Sequence, residues 1–107
     1  MTIVPSHIKK EFHLTAEHPC FSGHFPGNPI FPAIAQLSLV VTAIEESCGV
    51  SVIVRGVSQA KFLKKILPNS RLDLTIEIEA GDRAQWTLTE GPEICSKGRL
   101  NLAFTTM

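Results

Sequence analysis

The sequence lacks an excess of charge of either sign: ten lysines and arginines stand against ten aspartates and glutamates in 107 residues. That balance leaves no electrostatic footprint for nucleic acid or an anionic membrane surface, and neither is expected as a partner. A long hydrophobic run is missing too. The longest lies within residues 33–44 and is interrupted by Gln36, Ser38 and Thr42, well short of a membrane span. Met1 to Lys10 are polar and mixed, without the apolar segment of a secretory leader. Cysteine is scarce: Cys20, Cys48 and Cys95 are odd in number and form no CxxC pair. Free thiols in a reducing cytoplasm are the simplest reading, and a thiolate metal site is not expected. His7, His13 and His18 show no HxxxH or similar metal-ligand spacing, so neither a metal nor a cofactor is expected. There are no internal repeats, low-complexity tracts or linkers, and the length suits a single domain over residues 1–107.

What is present reads as one strand, one helix and about four further strands. Ile8, Phe12 and Leu14 alternate with Lys9, Glu11 and His13 as in a half-buried strand, with Lys10 as the weak point. Residues 17–32, EHPCFSGHFPGNPIFP, hold four prolines and two glycines among aromatics, which forbids a regular helix or a central strand. An ordered, partly buried loop is predicted there. Pro32 suits the first turn of a helix running to about Cys48, with Gly49 as its stop. That helix is apolar on nearly every side, as a central, wrapped helix is. Its exceptions Ser38, Thr42 and Glu45 share one face.

After Gly49, Val50 to Val57 is rich in β-branched residues, and Gln59 to Leu63 continues the strand past a bend at Gly56 and Ser58. Pro68-Asn69-Ser70 marks a turn, and Arg71 to Glu79 alternates without error. Gly81-Asp82 is a hairpin signal, Trp86 and Leu88 lie on the next strand, and Gly91-Pro92 turns again. Leu100, Leu102 and Phe104 form the apolar face of the last strand. One curved antiparallel sheet around one apolar helix, an α+β architecture, is the economical packing. Its open edges invite pairing with a second copy.

The segment Gly23-His24-Phe25-Pro26-Gly27-Asn28-Pro29-Ile30-Phe31-Pro32, followed directly by an apolar helix, resembles the signature of the bacterial 3-hydroxyacyl-acyl carrier protein dehydratases. In that family the loop reads GHFPxxPxxPG and leads into the buried helix of a hot-dog fold. The resemblance implies a hot-dog domain of about five strands wrapped around one central helix. It also implies elimination of water from a 3-hydroxyacyl thioester, a hydro-lyase reaction of fatty-acid-type or polyketide-type biosynthesis. Such an elimination needs a base at C2, an acid for the departing hydroxyl and donors for the enolate-like oxygen. By resemblance His24 is the base, and the backbone N–H of Ala33 polarises the thioester carbonyl. Free N–H groups and the helix dipole favour negative charge at that end on physical grounds as well. Phe25, Pro32, Ile34, Leu37 and Val41 are then expected to line an apolar acyl tunnel at a dimer interface.

Two departures from the family pattern qualify this. Ala33 replaces the usual glycine, a mild change, since alanine still donates its N–H. The family's catalytic carboxylate lies fourteen residues after the histidine, and Ser38 occupies that position here; Thr42 likewise stands where glutamine is common. A serine has no carboxyl proton to give, and general acid–base help is worth about 10²–10⁴-fold in rate. Glu45 lies two turns further along the helix, about 10 Å by helical rise. Glu46 points elsewhere, and nothing in the sequence brings Glu17 back. Ser38 also reads as a small polar filler bonded to the Ile34 carbonyl, or as a nucleophile paired with His24. No third, orienting residue is identifiable for that pair.

Three functions follow. The first is a dehydratase with an impaired site. The second is a non-catalytic acyl-thioester-binding protein or heterodimer partner subunit: in the family the histidine of one subunit faces the acid of the other, so a paralogue bearing the acid would complete one hybrid site. The third is a hot-dog acyl thioesterase, for which Ser38 fits poorly because those enzymes usually keep a carboxylate. The expected partners are an acyl thioester on acyl carrier protein or coenzyme A, and a second subunit in a homodimer, heterodimer or higher oligomer. Arg55, Lys61, Lys64 and Lys65 form a basic cluster, either a solvated face or an attractor for an acidic carrier or coenzyme phosphates.

Overall fold

The computed structural model describes residues 6–15, 17, 31–79 and 82–105. Among them the chain runs β1 (His7–Leu14), α1 (Ala33–Cys48), β2 (Ser51–Phe62), β3 (Ser70–Glu79), β4 (Arg83–Glu90) and β5 (Glu93–Thr105). All strand pairings are antiparallel, in one sheet of order β1-β3-β4-β5-β2. β1 and β2 are therefore the edges. This is the expected α+β hot-dog architecture of five strands and one helix.

Local chemistry explains the boundaries. Pro32 is the N-cap of α1 rather than its first residue, with φ −74° and ψ 160°. Its ring fixes that φ, and its carbonyl accepts the N–H groups of Ala35 and Gln36, both at 3.1 Å. At the other end Gly49 adopts φ 71° and donates its N–H to the Glu45 carbonyl at 2.8 Å. The bend predicted in β2 is real: the pairing with β5 shifts register between Val54 and Gly56 and again between Val57 and Gln59. Gly91, with φ 58°, precedes Pro92 in the two-residue turn joining Glu90 to Glu93, the arrangement of a II′ hairpin.

The core lies between the concave sheet face and one side of α1. Leu72, Leu74, Ile76, Trp86, Leu88, Leu100 and Leu102 meet Val40, Ala43 and Ile44 there, all buried. Trp86 is fully enclosed and donates its indole N–H to Ser96 Oγ at 3.2 Å. Lys10, the weak point of the β1 pattern, falls on the inward register between Ile8 and Phe12 but reaches the rim, 3.7 Å from Glu46. Its alkyl stem stays with the sheet while the ammonium meets a carboxylate in the last turns of the helix.

The helix departs from the sequence reading in one respect. It is not wrapped on all sides: Ile34 is 75% exposed, and Ser38 and Thr42 are exposed as well. A single five-stranded sheet is wide enough to cover only one helical face, so the opposite apolar face stays open in the lone chain. Glu45, the third polar residue of that face, is tied to the fold. Its Oε2 accepts the Val52 N–H at 2.9 Å, joining the helix end to the start of β2. A bond to a charged acceptor contributes about 1.5–3 kcal/mol. Glu45→Ala should lower unfolding stability by about that amount, read from urea melts as a lower midpoint at unchanged slope.

Candidate active site

The site is assembled by a short bridge. The Phe31 N–H donates to the Ile66 carbonyl at 2.8 Å, and both side chains are buried. That pairing holds the end of the motif loop, and with it the N-terminus of α1, beside the segment that follows β2. A cleft of about 510 Å³ opens between them, lined by Phe31, Pro32, Ala33 and Gln36 on one side and Phe62, Leu63, Lys64 and Lys65 on the other. Among the described residues no side chain caps the helix. The N–H groups of Ala33 and Ile34, which precede the two bonded to Pro32, have no intrahelical acceptor and carry the positive end of the helix dipole.

The far wall is braced from β5. The Cys95 carbonyl accepts the N–H groups of Leu63 and Lys64 at 2.8 and 3.2 Å. The Lys64 ammonium lies 2.8 Å from Glu90 and 3.3 Å from Glu93, bridging both ends of the β4–β5 turn. The hydrogen bond from Lys64 holds the Glu90 carboxyl below its ordinary range, and the bond to Glu90 holds the Lys64 ammonium above its own. The brace is therefore complete above the ordinary carboxylate pKa, about 4.3, and fades as pH falls through the lowered folded value. On the alkaline side it persists up to the ordinary lysine pKa and fades as pH rises through the raised one. Lys64→Met should flatten the acid limb of a melting temperature–pH profile below about pH 5, since it removes the partner that Glu90 loses on protonation.

Of the predicted site residues, the structure places Pro32 and Ala33 together in this cleft. Ile34 and Ser38 stand on the open face of α1, and Leu37 and Val41 are half-buried against the core. His24 and Phe25 lie outside the described residues, as does Cys20. Among the described residues Ser38 shares no side-chain hydrogen bond, so the bond to the Ile34 carbonyl is not made. The basic cluster is divided. Lys64 is held by its two glutamates, Lys65 stays at the cleft mouth, and Lys61 faces outward opposite Lys97. Cys48 and Cys95 are free thiols, and burial pushes both above the ordinary thiol range, which disfavours the reactive thiolate.

Sequence reasoning missed Gln36, treating it as a mere interruption of an apolar run. It falls on the core-facing stripe with Ala35, Val40, Ala43 and Ile44 and is 4% exposed. A polar amide at a core position of the helical repeat was the signal available.

Five antiparallel strands around one helix define a hot-dog domain, and relatives specify which family. A family model described as ApeI-like, ApeI dehydratase, matches residues 3–99. The chain belongs to this ApeI-like dehydratase family. It is 35% identical over 82 residues to the 3-hydroxyacyl-[acyl-carrier-protein] dehydratase FabZ of Cereibacter sphaeroides strain KD131, covering 68% of this chain and 53% of the relative. FabZ of Alkaliphilus metalliredigens is 39% identical over 75 residues, 64% of this chain and 51% of that one. The chain thus spans about half the length of these curated relatives. Among solved structures, the dehydratase heterocomplex ApeI:P from Xenorhabdus doucetiae shares the fold with a TM-score of 0.84 at 21% identity, over 92% of this chain and 88% of that one. The fluoroacetyl-CoA thioesterase FlK does so at 0.66 and 15%, over 98% and 89%. Among the described residues no helix is long and apolar enough to cross a membrane.

Proposed function

We propose that this chain is a dehydratase-type subunit for 3-hydroxyacyl thioesters whose site is completed by a partner bearing the missing acid. The observation that carries the reading is Ser38. It stands at the helix position where the family's carboxylate is expected, on the open face of α1, and neither helical glutamate replaces it. Glu45 is bonded to Val52, and Glu46 is paired with Lys10. In the proposed reaction the thioester carbonyl accepts the Ala33 N–H and the His24 imidazole removes a proton from C2. The C3–O bond then breaks, and an acid from the partner protonates the leaving hydroxyl, giving water and the 2,3-unsaturated thioester. His24 and Phe25 belong to this site by resemblance, with Pro32, Ile34, Leu37 and Val41 toward the acyl chain.

Two features support a partner. Among the described residues no strand pairs with the outer edge of β2, which carries exposed Ile53, Val54 and Val57, and the open helix face adds Ile34. Such edges and apolar patches favour association. The Xenorhabdus fold relative is itself part of a dehydratase heterocomplex. Acyl carrier protein is the favoured thiol carrier, after the FabZ relatives, and the free thiols Cys48 and Cys95 suit a cytoplasmic setting.

The test is mass spectrometry of short and medium 3-hydroxyacyl thioesters incubated with the chain alone, with a glutamate-bearing dehydratase homologue from the same cell, and with both together. Loss of water that is slow with either protein and at least tenfold faster with the equimolar mixture is expected, together with co-elution of the two. Full activity of the chain alone as a homodimer would overturn the partner-completed site.

A further inference from the structure

We infer that Gln36 is a ligand-binding, specificity-determining residue, whose side-chain oxygen accepts a hydrogen bond from an O–H or N–H group of an acyl thioester lodged at the N-terminus of α1. The inference rests on the reading of the cleft as a thioester site and assigns that site an acceptor. Gln36 lines the cleft and is 4% exposed, yet its amide is only half satisfied. Nε2 donates to the Phe31 carbonyl at 3.3 Å, whereas Oε1 is buried with no hydrogen-bond partner among the described residues. The Phe31 carbonyl fixes which end of the amide remains. Turned over, the side chain would set two carbonyl oxygens against each other, so the unused end is the acceptor.

A buried acceptor without a partner is costly, and native structures hold few of them. The other helix residues buried against the sheet, Ala35, Val40, Ala43 and Ile44, are all apolar, and an apolar side chain at position 36 would avoid the cost altogether. Retaining the amide makes sense if its missing partner arrives with the ligand. The cleft then offers complementary polar groups: the N–H of Ala33 at the helix start as donor, and Gln36 Oε1 as acceptor. A 3-hydroxyacyl thioester presents the matching pair. Its carbonyl accepts, while its 3-hydroxyl or the amide N–H of its thiol arm donates.

The experiment measures binding of three probes to the full chain and to Gln36→Met, which keeps side-chain length without the polar amide. The probes are 3-hydroxybutyryl-N-acetylcysteamine, butyryl-N-acetylcysteamine, and S-ethyl thiobutyrate, which has neither hydroxyl nor amide. If the hydroxyl is the donor, the wild-type chain prefers the first probe to the second by roughly threefold to tenfold, and the variant loses that preference. If the arm amide is the donor, the preference lost is that of the second probe over the third. A merely structural role would weaken all three probes alike. As a readout independent of the variant's folding, the Gln36 side-chain amide resonance of the wild-type chain should shift on adding the preferred probe. Binding with both preferences intact in Gln36→Met, or a stationary amide resonance, would overturn the inference. A wild-type chain that binds none of the probes would instead fail the thioester reading itself, and the inference with it.

Discussion

Ser38→Glu should convert the chain from a silent or slow protein into a measurable dehydratase by itself, with a rate gain of about 10²–10⁴-fold. Ser38 is exposed on the open face of α1 and shares no side-chain hydrogen bond with a described residue, so a longer side chain displaces nothing in the lone chain. Glutamate is a better helix former than serine, so the helix itself is not weakened. The new carboxyl would supply the proton for the leaving hydroxyl, the one step for which neither helical glutamate is available. Adding His24→Ala to the same chain should remove the gain, because an acid without the proposed C2 base leaves the elimination stalled. Both are read by single-turnover conversion of 3-hydroxyacyl to 2,3-unsaturated thioester. A variant that binds thioester but stays as slow as the parent would mean that a missing acid is not what limits this chain.

Gly98→Ala should destabilise the domain by about 3 kcal/mol or more, at the upper end of overpacking costs. Gly98 sits opposite Trp86 in the β4–β5 ladder and next to Ala60 and Gln59 on β2. A methyl group there would collide with the Gln59 carbonyl oxygen on one side and with ring carbons Cη2 and Cζ3 of Trp86 on the other. Neither neighbour gives way easily. The carbonyl belongs to the backbone of a paired strand, and the indole is fully buried and held by its bond to Ser96. For a domain of this size the loss corresponds to a melting temperature lower by roughly 12 °C or more. Pairing Gly98→Ala with Trp86→Phe would relieve the ring contacts but not the carbonyl. The double variant should therefore remain well below the parent, and a full recovery would show that the ring alone demands the glycine.

Much of the architecture was legible from local chemistry. The Pro32 start and Gly49 stop of α1 follow from a fixed φ at one end and a left-handed cap at the other. The flawless alternation of β3 follows from a strand with one dry face. Even the irregularity of β2 was marked by Gly56 and Ser58, where the register slips. The motif from Gly23 to Pro32 pointed to the family, and the ApeI-like match over residues 3–99 agrees with it.

Other features had no local signature. Lys64 read as one of four clustered cations until β4 and β5 brought Glu90 and Glu93 against it. Glu45 read as a stray acid on a polar face until Val52 supplied its N–H. For Gln36 the helical repeat marked only its shared stripe with Ala35, Val40, Ala43 and Ile44; that this stripe is the covered one is a property of the packed sheet and not of the residue.

The sequence by itself determined the element types, the turn positions, the family signature and the absence of a carboxylate at position 38. These depend on backbone preferences and residue identities within a few positions of one another. Only the tertiary structure decided which face of α1 is covered, which charges are neutralised, and which polar atom is buried beside the helix N-terminus without a partner among the described residues. Those depend on contacts between distant segments, 26 residues apart for Lys64 with Glu90 and 35 for Phe31 with Ile66, and no local pattern encodes which distant group will arrive.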